Sequence, residues 1–218
     1  MIEQGFFITG SDTEMGKTTL SASLLHFFSA QGLRTLGLKP VASGGNQDIQ
    51  MLQQHANVYF DQAIINPFSF AEPIAPHVAA AHNNQTLSVE KILKAYEHIA
   101  NDAADVVIVE GAGGWLTPLN DKETLADLAQ AINYPVILIV GIRLGCINHA
   151  LLTLESIQAK GLKVKGWIAN CIDPTMLYPE DSIQYLEKHI AAPLLGVVPY
   201  QHEVNIAAMT SYLNLTGL

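Results

Sequence analysis

Lys17 and Thr18 follow the run Thr9-Gly10-Ser11-Asp12-Thr13-Glu14-Met15-Gly16, in which glycines bracket a polar turn. That combination suits a polyphosphate. Glycines let successive backbone N–H groups turn inward as a nest, Lys17 adds a point charge for the outer phosphates, and the Thr18 hydroxyl is of the type that reaches Mg²⁺. Five residues, one more than in the common pattern, separate Gly10 from Gly16, so the loop is a long variant. A plain strand-turn-helix corner can also carry two glycines. An apolar run before Gly10, this glycine spacing and Gly-Lys-Thr-Thr at a helix start seldom coincide by chance.

Other polar residues fall where strands should end. Lys39 precedes Pro40 and the glycines Gly44 and Gly45, and Glu110 closes the strand that begins at Asp105 and runs through the apolar residues Val106 to Val109. From position alone Lys39 reads equally as a solvated strand-end lysine, and Glu110 could cap the turn that follows it. Asp48 lies in the first turn of a short helix, where a carboxylate also suits the helix dipole. Taken with Thr13, Glu14, Ser43 and Asn170, these residues suit phosphoryl transfer. Two lysines on one triphosphate offset the charge that develops as the γ-phosphoryl moves. Mg²⁺ takes one or two carboxylates with phosphate oxygens and water, which makes Thr18, Asp48 and Glu110 its candidates.

The elements that must carry these groups follow from the periodicity. A first strand leads into the loop, a helix from Lys17 closes at Gln31-Gly32, and a second strand runs from Arg34 to Leu38. Helices are expected over 46–56, 87–101, 124–132 and up to Lys160, and strands over 105–110, 135–140, 164–168 and 193–198. Residues 65–77, with three prolines, read as an ordered but irregular pocket wall. Strands alternate with helices, so the expected class is α/β, P-loop NTPase-like, with a mostly parallel sheet and helices on both faces. One nucleotide-binding domain over residues 1–218 is expected. Ligands of such sheets sit at the strands' carboxyl ends.

Composition narrows the partners. A net charge of −9, with Arg34 and Arg143 as the only arginines, sets a field that repels nucleic acid and anionic lipid. A nucleotide must then be held locally by Lys17, backbone amides and metal. Charged residues are only 14% of the chain, which leaves uncharged surface for a partner subunit, and a homodimer is expected. Cys146 and Cys171 lack metal-ligand spacing and fit reduced thiols. The longest apolar run, Val136 to Val140, is too short to span a bilayer, so the protein is expected to be cytoplasmic.

Five segments in order, residues 9–18, Lys39-Pro40-Val41-Ala42-Ser43-Gly44, Phe70-Ala71-Glu72-Pro73, Val109-Glu110-Gly111-Ala112-Gly113-Gly114 and Gly145-Cys146-Ile147-Asn148-His149-Ala150, resemble the dethiobiotin synthetases of biotin synthesis. The resemblance covers nearly the whole chain. It implies that ATP, Mg²⁺ and CO₂ convert 7,8-diaminononanoate to dethiobiotin through a carbamate and a carbamic-phosphoric anhydride. It also implies catalytic roles for Lys39, Lys17 and Thr13, and nucleotide contacts from residues 14–19, Glu14, Met15, Gly16, Lys17, Thr18 and Thr19. Asn170 and Pro199 would belong to the base pocket. Ser43 and Gly113 would face the substrate, and Leu144, Gly145, Cys146 and Asn148 would receive its carboxylate from the opposite subunit of a homodimer. The connection Gly44-Gly45-Asn46-Gln47 before Asp48 is short for the family.

The main rival is a nucleotide-switch ATPase dimer of the partitioning class. Such proteins carry a lysine directly after the first glycine, where this chain has Ser11, and their membrane-cycling members need a basic tail that Val204 to Leu218 lacks. A kinase or amide-forming synthase acting on another small acid is a second alternative, against which the Gly-Cys-Ile-Asn-His segment argues.

Overall fold

The computed structural model describes residues 4–100 and 102–218. In chain order the strands are β1 (Gln4–Gly10), β2 (Thr35–Leu38), β3 (Val41–Ser43), β4 (Phe68–Phe70), β5 (Val106–Glu110), β6 (Val136–Ile142), β7 (Val164–Cys171) and β8 (Leu194–Val198). The helices are α1 (Lys17–Ala30), α2 (Gln47–His55), α3 (Gln62–Ile65), α4 (Pro76–His82), α5 (Val89–Tyr96), α6 (Leu125–Ile132), α7 (Cys146–Ala159), α8 (Pro179–His189) and α9 (Ile206–Met209). Six strands form one sheet in the order β2-β5-β1-β6-β7-β8, and every pair in it is parallel.

Neighbouring residues of β1 show why its sequence is continuously apolar. Phe6 stacks on Phe28 of α1 with ring centroids 6.3 Å apart, and Phe7 meets Trp115 edge-on at 6.2 Å. Successive strand side chains point to opposite faces, so both faces of the sheet are covered and neither can be polar. The same holds for β6, buried along its whole length.

Register brings the chemistry to one edge. Leu38 pairs with Val109, so the next residues, Lys39 and Glu110, leave neighbouring strands side by side. Ile8 pairs with Glu110, and the chain from β1 turns into the glycine-bracketed loop just beyond. Gly141 of β6 pairs with Asn170 of β7, two strands from β1.

Two expectations need correction. Residues 65–77 are not irregular throughout: β4 pairs in parallel with β3 as a separate two-stranded sheet, and Pro76 opens α4. Phe70 and Val41 bury in a second apolar cluster with Ala79, Ile92, Leu125 and Leu128, which holds three-residue strands too short to show periodicity. The helix expected over 87–101 is α5, shorter at both ends, with Asn101 outside the described residues. Ser88 caps it by accepting the Lys91 N–H at 3.2 Å, and after Tyr96 the chain tightens into bonds from His98 to Ala95 and Ile99 to Tyr96. Cys146 and Cys171 are free thiols, and no helix among the described residues is long and apolar enough to cross a membrane.

Candidate active site

The glycine-bracketed loop joins β1 to α1. Gly16 caps the helix in a left-handed conformation, φ 79°, with no side chain on the first helical N–H groups, which leaves those donors for an anion. A Cβ here would be strained and would collide with the Asn170 amide. Glu14 is also left-handed, φ 58°, an uncommon conformation for a residue with a side chain and one from which anion nests are built. Beneath the loop Met15 is buried, and its carbonyl accepts the Asn170 Nδ2 at 3.0 Å. Gly141 leaves room for the Met15 thioether.

Lys39, 2% exposed, is the centre of a charged knot. Its ammonium donates to Glu110 Oε1 at 2.6 Å and to the Gly111 carbonyl at 3.3 Å, and it lies 2.6 Å from Asp48 Oδ2. Burial alone pushes its pKa down, but Glu110 and Asp48 outweigh that and raise it. Asp48 shifts the opposite way. Burial pushes its carboxyl up, while the charge and hydrogen bond of Lys39 bring it below the usual value. The short connection of residues 44–47 thus still delivers Asp48 to the strand ends.

Thr18 Oγ1 donates to the same Glu110 Oε1 at 2.7 Å. Glu110 is fully buried, and its second oxygen, Oε2, has no hydrogen-bond partner among the described residues. A buried, unpaired carboxylate oxygen is costly, and a hard cation relieves it. The Thr18 hydroxyl, the half-buried Asp48 carboxylate and the orphaned Glu110 oxygen together fit Mg²⁺.

Lys17 sits across the cleft, buried, with its ammonium on the Asp12 carbonyl at 3.1 Å. Burial first, and then the charge of Lys39, lower its pKa to about 8, against partial compensation from Glu110, Asp48 and Asp12. The cleft between the two lysines has a volume of about 430 Å³. Thr13, Glu14, Met15, Gly16, Lys17, Thr18, Thr19, Lys39, Ser43, Asp48, Glu110 and Gly113 all line it, so most of the residues singled out from sequence come together. A larger cavity, about 540 Å³, lies at the opposite edge of the sheet near Val164 and Leu194 and contains none of them.

Six of the residues are not in the cleft. Asn170 lies behind the loop, and Pro199 is exposed just past Val198, the register partner of Asn170. Leu144, Gly145, Cys146 and Asn148 form the turn into α7. Leu144 is 91% exposed and Asn148 is exposed, whereas the Cys146 thiol is buried, which leaves only its backbone for a ligand. Sequence reasoning misses several cleft residues. Gln47 and Met51 line it from α2, and their i, i+4 spacing on one helix face with Asp48 was a usable signal. It also misses the ion pair of Arg143 with Asp12, at 2.6 Å, for which no local pattern exists.

A family model described as an AAA domain matches residues 4–208. The ATP-dependent dethiobiotin synthetase BioD of Nitrosospira multiformis is 42% identical over 219 residues, which cover 99% of this chain and 96% of that protein. The protein of the same name from Aromatoleum aromaticum is 44% identical over 224 residues, with 98% of each covered. Among solved structures, the MinC:MinD cell division protein complex of Aquifex aeolicus superposes with a TM-score of 0.59 at 18% identity, over 91% of this chain and 82% of that one. The septum site-determining protein MinD from Pyrococcus horikoshii, complexed with Mg-ADP, gives 0.57 at 14% identity over 98% and 88%. At such identities the structural likeness speaks for the α/β P-loop fold alone. The near end-to-end identity to the synthetases speaks for more: this chain belongs to the AAA domain family and, within it, to the ATP-dependent dethiobiotin synthetases.

Proposed function

We propose that the protein closes the ureido ring of dethiobiotin from 7,8-diaminononanoate, CO₂ and ATP, with release of ADP and phosphate. The observation that carries this reading is a buried Lys39, held by Glu110 and Asp48, facing a phosphate loop across one cleft, in a chain that matches the synthetases along nearly its whole length. One substrate amine adds to CO₂ and loses a proton, giving a carbamate. A carbamate oxygen displaces ADP from the γ-phosphorus, and the second amine then attacks the carbonyl carbon of the mixed anhydride. Phosphate departs, the nitrogen loses its proton, and the ring closes.

Lys39 serves as a fixed cation for the carbamate and the transferring phosphoryl group, since its raised pKa rules it out as a base near neutrality. Lys17 follows the phosphoryl group, Thr13 positions it, and residues 14–19 cradle the phosphates, with Asn170 and the Pro199 region near the base. Ser43 and Gly113 lie beside the carbamate. Thr18, Asp48 and Glu110 would hold Mg²⁺, whose charge when bound offsets that of the polyphosphate. The exposed turn Leu144 to Asn148 takes the substrate carboxylate of a second copy, so the working form is a homodimer.

Incubation of the purified protein with diaminononanoate, bicarbonate and MgATP, with omission of each, tests the reading. Dethiobiotin by mass spectrometry, matched by ADP, is the expected result. ADP released without any need for diaminononanoate would instead favour a nucleotide-switch ATPase.

A further inference from the structure

Asp12 is a junction that the reaction scheme leaves unused. Its Oδ1 accepts the Thr13 N–H at 2.7 Å, its main-chain carbonyl accepts the Lys17 ammonium at 3.1 Å, and its Oδ2 lies 2.6 Å from Arg143 Nη2. One residue therefore sets the position of both groups assigned to the γ-phosphoryl. Arg143 follows β6 directly, and β6 pairs with β1 at Gly10 and Ile139, with the Ser11 N–H donating to the Ile139 carbonyl at 2.9 Å. The guanidinium thus approaches Asp12 from a rigid strand end. His149 Nδ1 stands 3.7 Å from the same carboxylate oxygen, too far for a hydrogen bond.

The pair is poorly suited to holding the fold together. Its side chains are 41% and 35% exposed, and ion pairs so open to water add little to stability. What it can do is hold direction: a planar guanidinium fixes the carboxylate it binds more narrowly than an ammonium does. The other arginine, Arg34, binds Asp105 at the far edge of the sheet.

We infer that Arg143 is a positioning residue, which pins Asp12 so that Thr13 and Lys17 face the transferring phosphoryl group. The inference rests on the proposed reaction for the roles of Thr13 and Lys17. The backbone donors at the start of α1 do not depend on Asp12, so nucleotide binding should survive its release while phosphoryl transfer suffers.

The test measures kcat, KM for ATP and the thermal midpoint for Arg143→Ala, Arg143→Lys, Asp12→Ala and the double Asp12→Ala/Arg143→Ala variant. Arg143→Ala should lose about tenfold in kcat with KM for ATP within about threefold, because misplacement of a reacting group acts mainly on the transition state. Its midpoint should stay within about 2 °C of wild type. Arg143→Lys should recover only part of the rate, because an ammonium restores the charge but not the fixed direction, and the double variant should be no slower than Asp12→Ala, since both changes break one link. Wild-type kcat in Arg143→Ala, losses that multiply in the double variant, or a rate loss that tracks a falling midpoint without rescue by lysine would each overturn the inference. If the wild type makes no dethiobiotin, it is the proposed reaction that fails. Hydrogen exchange at the Thr13 amide then decides the pin: several-fold faster exchange in Arg143→Ala supports it, and unchanged exchange overturns it.

Discussion

Lys39 and Lys17 lie in one cleft, both withdrawn from water, and are held in opposite ways. Lys39 has two carboxylates and a carbonyl around its ammonium, and its pKa is raised. Lys17 has a single carbonyl, a neighbouring cation, and a pKa lowered to about 8. The difference lies in what each strand end faces. Lys39 emerges beside Glu110 because β2 and β5 pair in register, whereas Lys17 opens a helix over a loop whose donors await an anion. One lysine has its charge balanced within the protein, and the other has not.

Replacement of each lysine by methionine is the strongest way to break this comparison. If both cations meet the charge that builds in the transition state, as proposed, both variants should lose on the order of 10²–10³ in turnover. Their stabilities should diverge. Lys39→Met strands Glu110 as a buried, unpaired carboxylate and should cost about 3–5 kcal/mol. Lys17→Met removes a poorly compensated buried charge, and its thermal midpoint should match or exceed that of the wild type. A destabilised Lys17→Met protein would end the distinction. Asp48→Asn comes next: it weakens the knot and removes a candidate metal oxygen, and should raise the Mg²⁺ needed for half-maximal rate about tenfold. A wild-type magnesium titration would take Asp48 out of the metal site.

A milder test uses pH. In the proposed role, Lys17 is charged below about 8 and would bind phosphate at no cost, and above it a proton would have to be taken up on binding. KM for ATP should therefore climb by up to about tenfold per unit above pH 8. Lys39 stays charged across that range because its pKa is raised, so no second inflection should come from it. A KM flat from pH 7 to 9.5 would contradict the assignment to Lys17. Asn170→Ala should have the smallest effect, a several-fold rise in KM for ATP through loss of the bond to the Met15 carbonyl. A normal KM would place Asn170 outside nucleotide binding.

Legibility followed locality. The loop, the helix after it and the strand ending in Glu110 could be read because each is a continuous stretch whose residues act together. The short strands β3 and β4 could not, since three residues carry no period and the pair is stabilised by a cluster drawn from distant parts of the chain. Lys39 was ambiguous from position alone because its exposure depends on what covers it. Arg143 and Asp12 stand 131 residues apart, and nothing near either one announces the other.

By itself, then, the sequence determined the glycine-bracketed loop between a strand and a helix, the alternation of strands and helices, and the sheet edge at which the polar residues would gather. Those depend on backbone preference and hydrophobic period, which act over a few residues. Only the tertiary structure decided that Lys39 is buried and paired, that Lys17 is left with fewer partners than Lys39 among the described residues, that Glu110 Oε2 has no hydrogen-bond partner among them, and that Arg143 reaches the loop. These are consequences of strand register and of a low-dielectric environment assembled from remote segments, and the strength of a charge is set by that environment, not by its place in the chain.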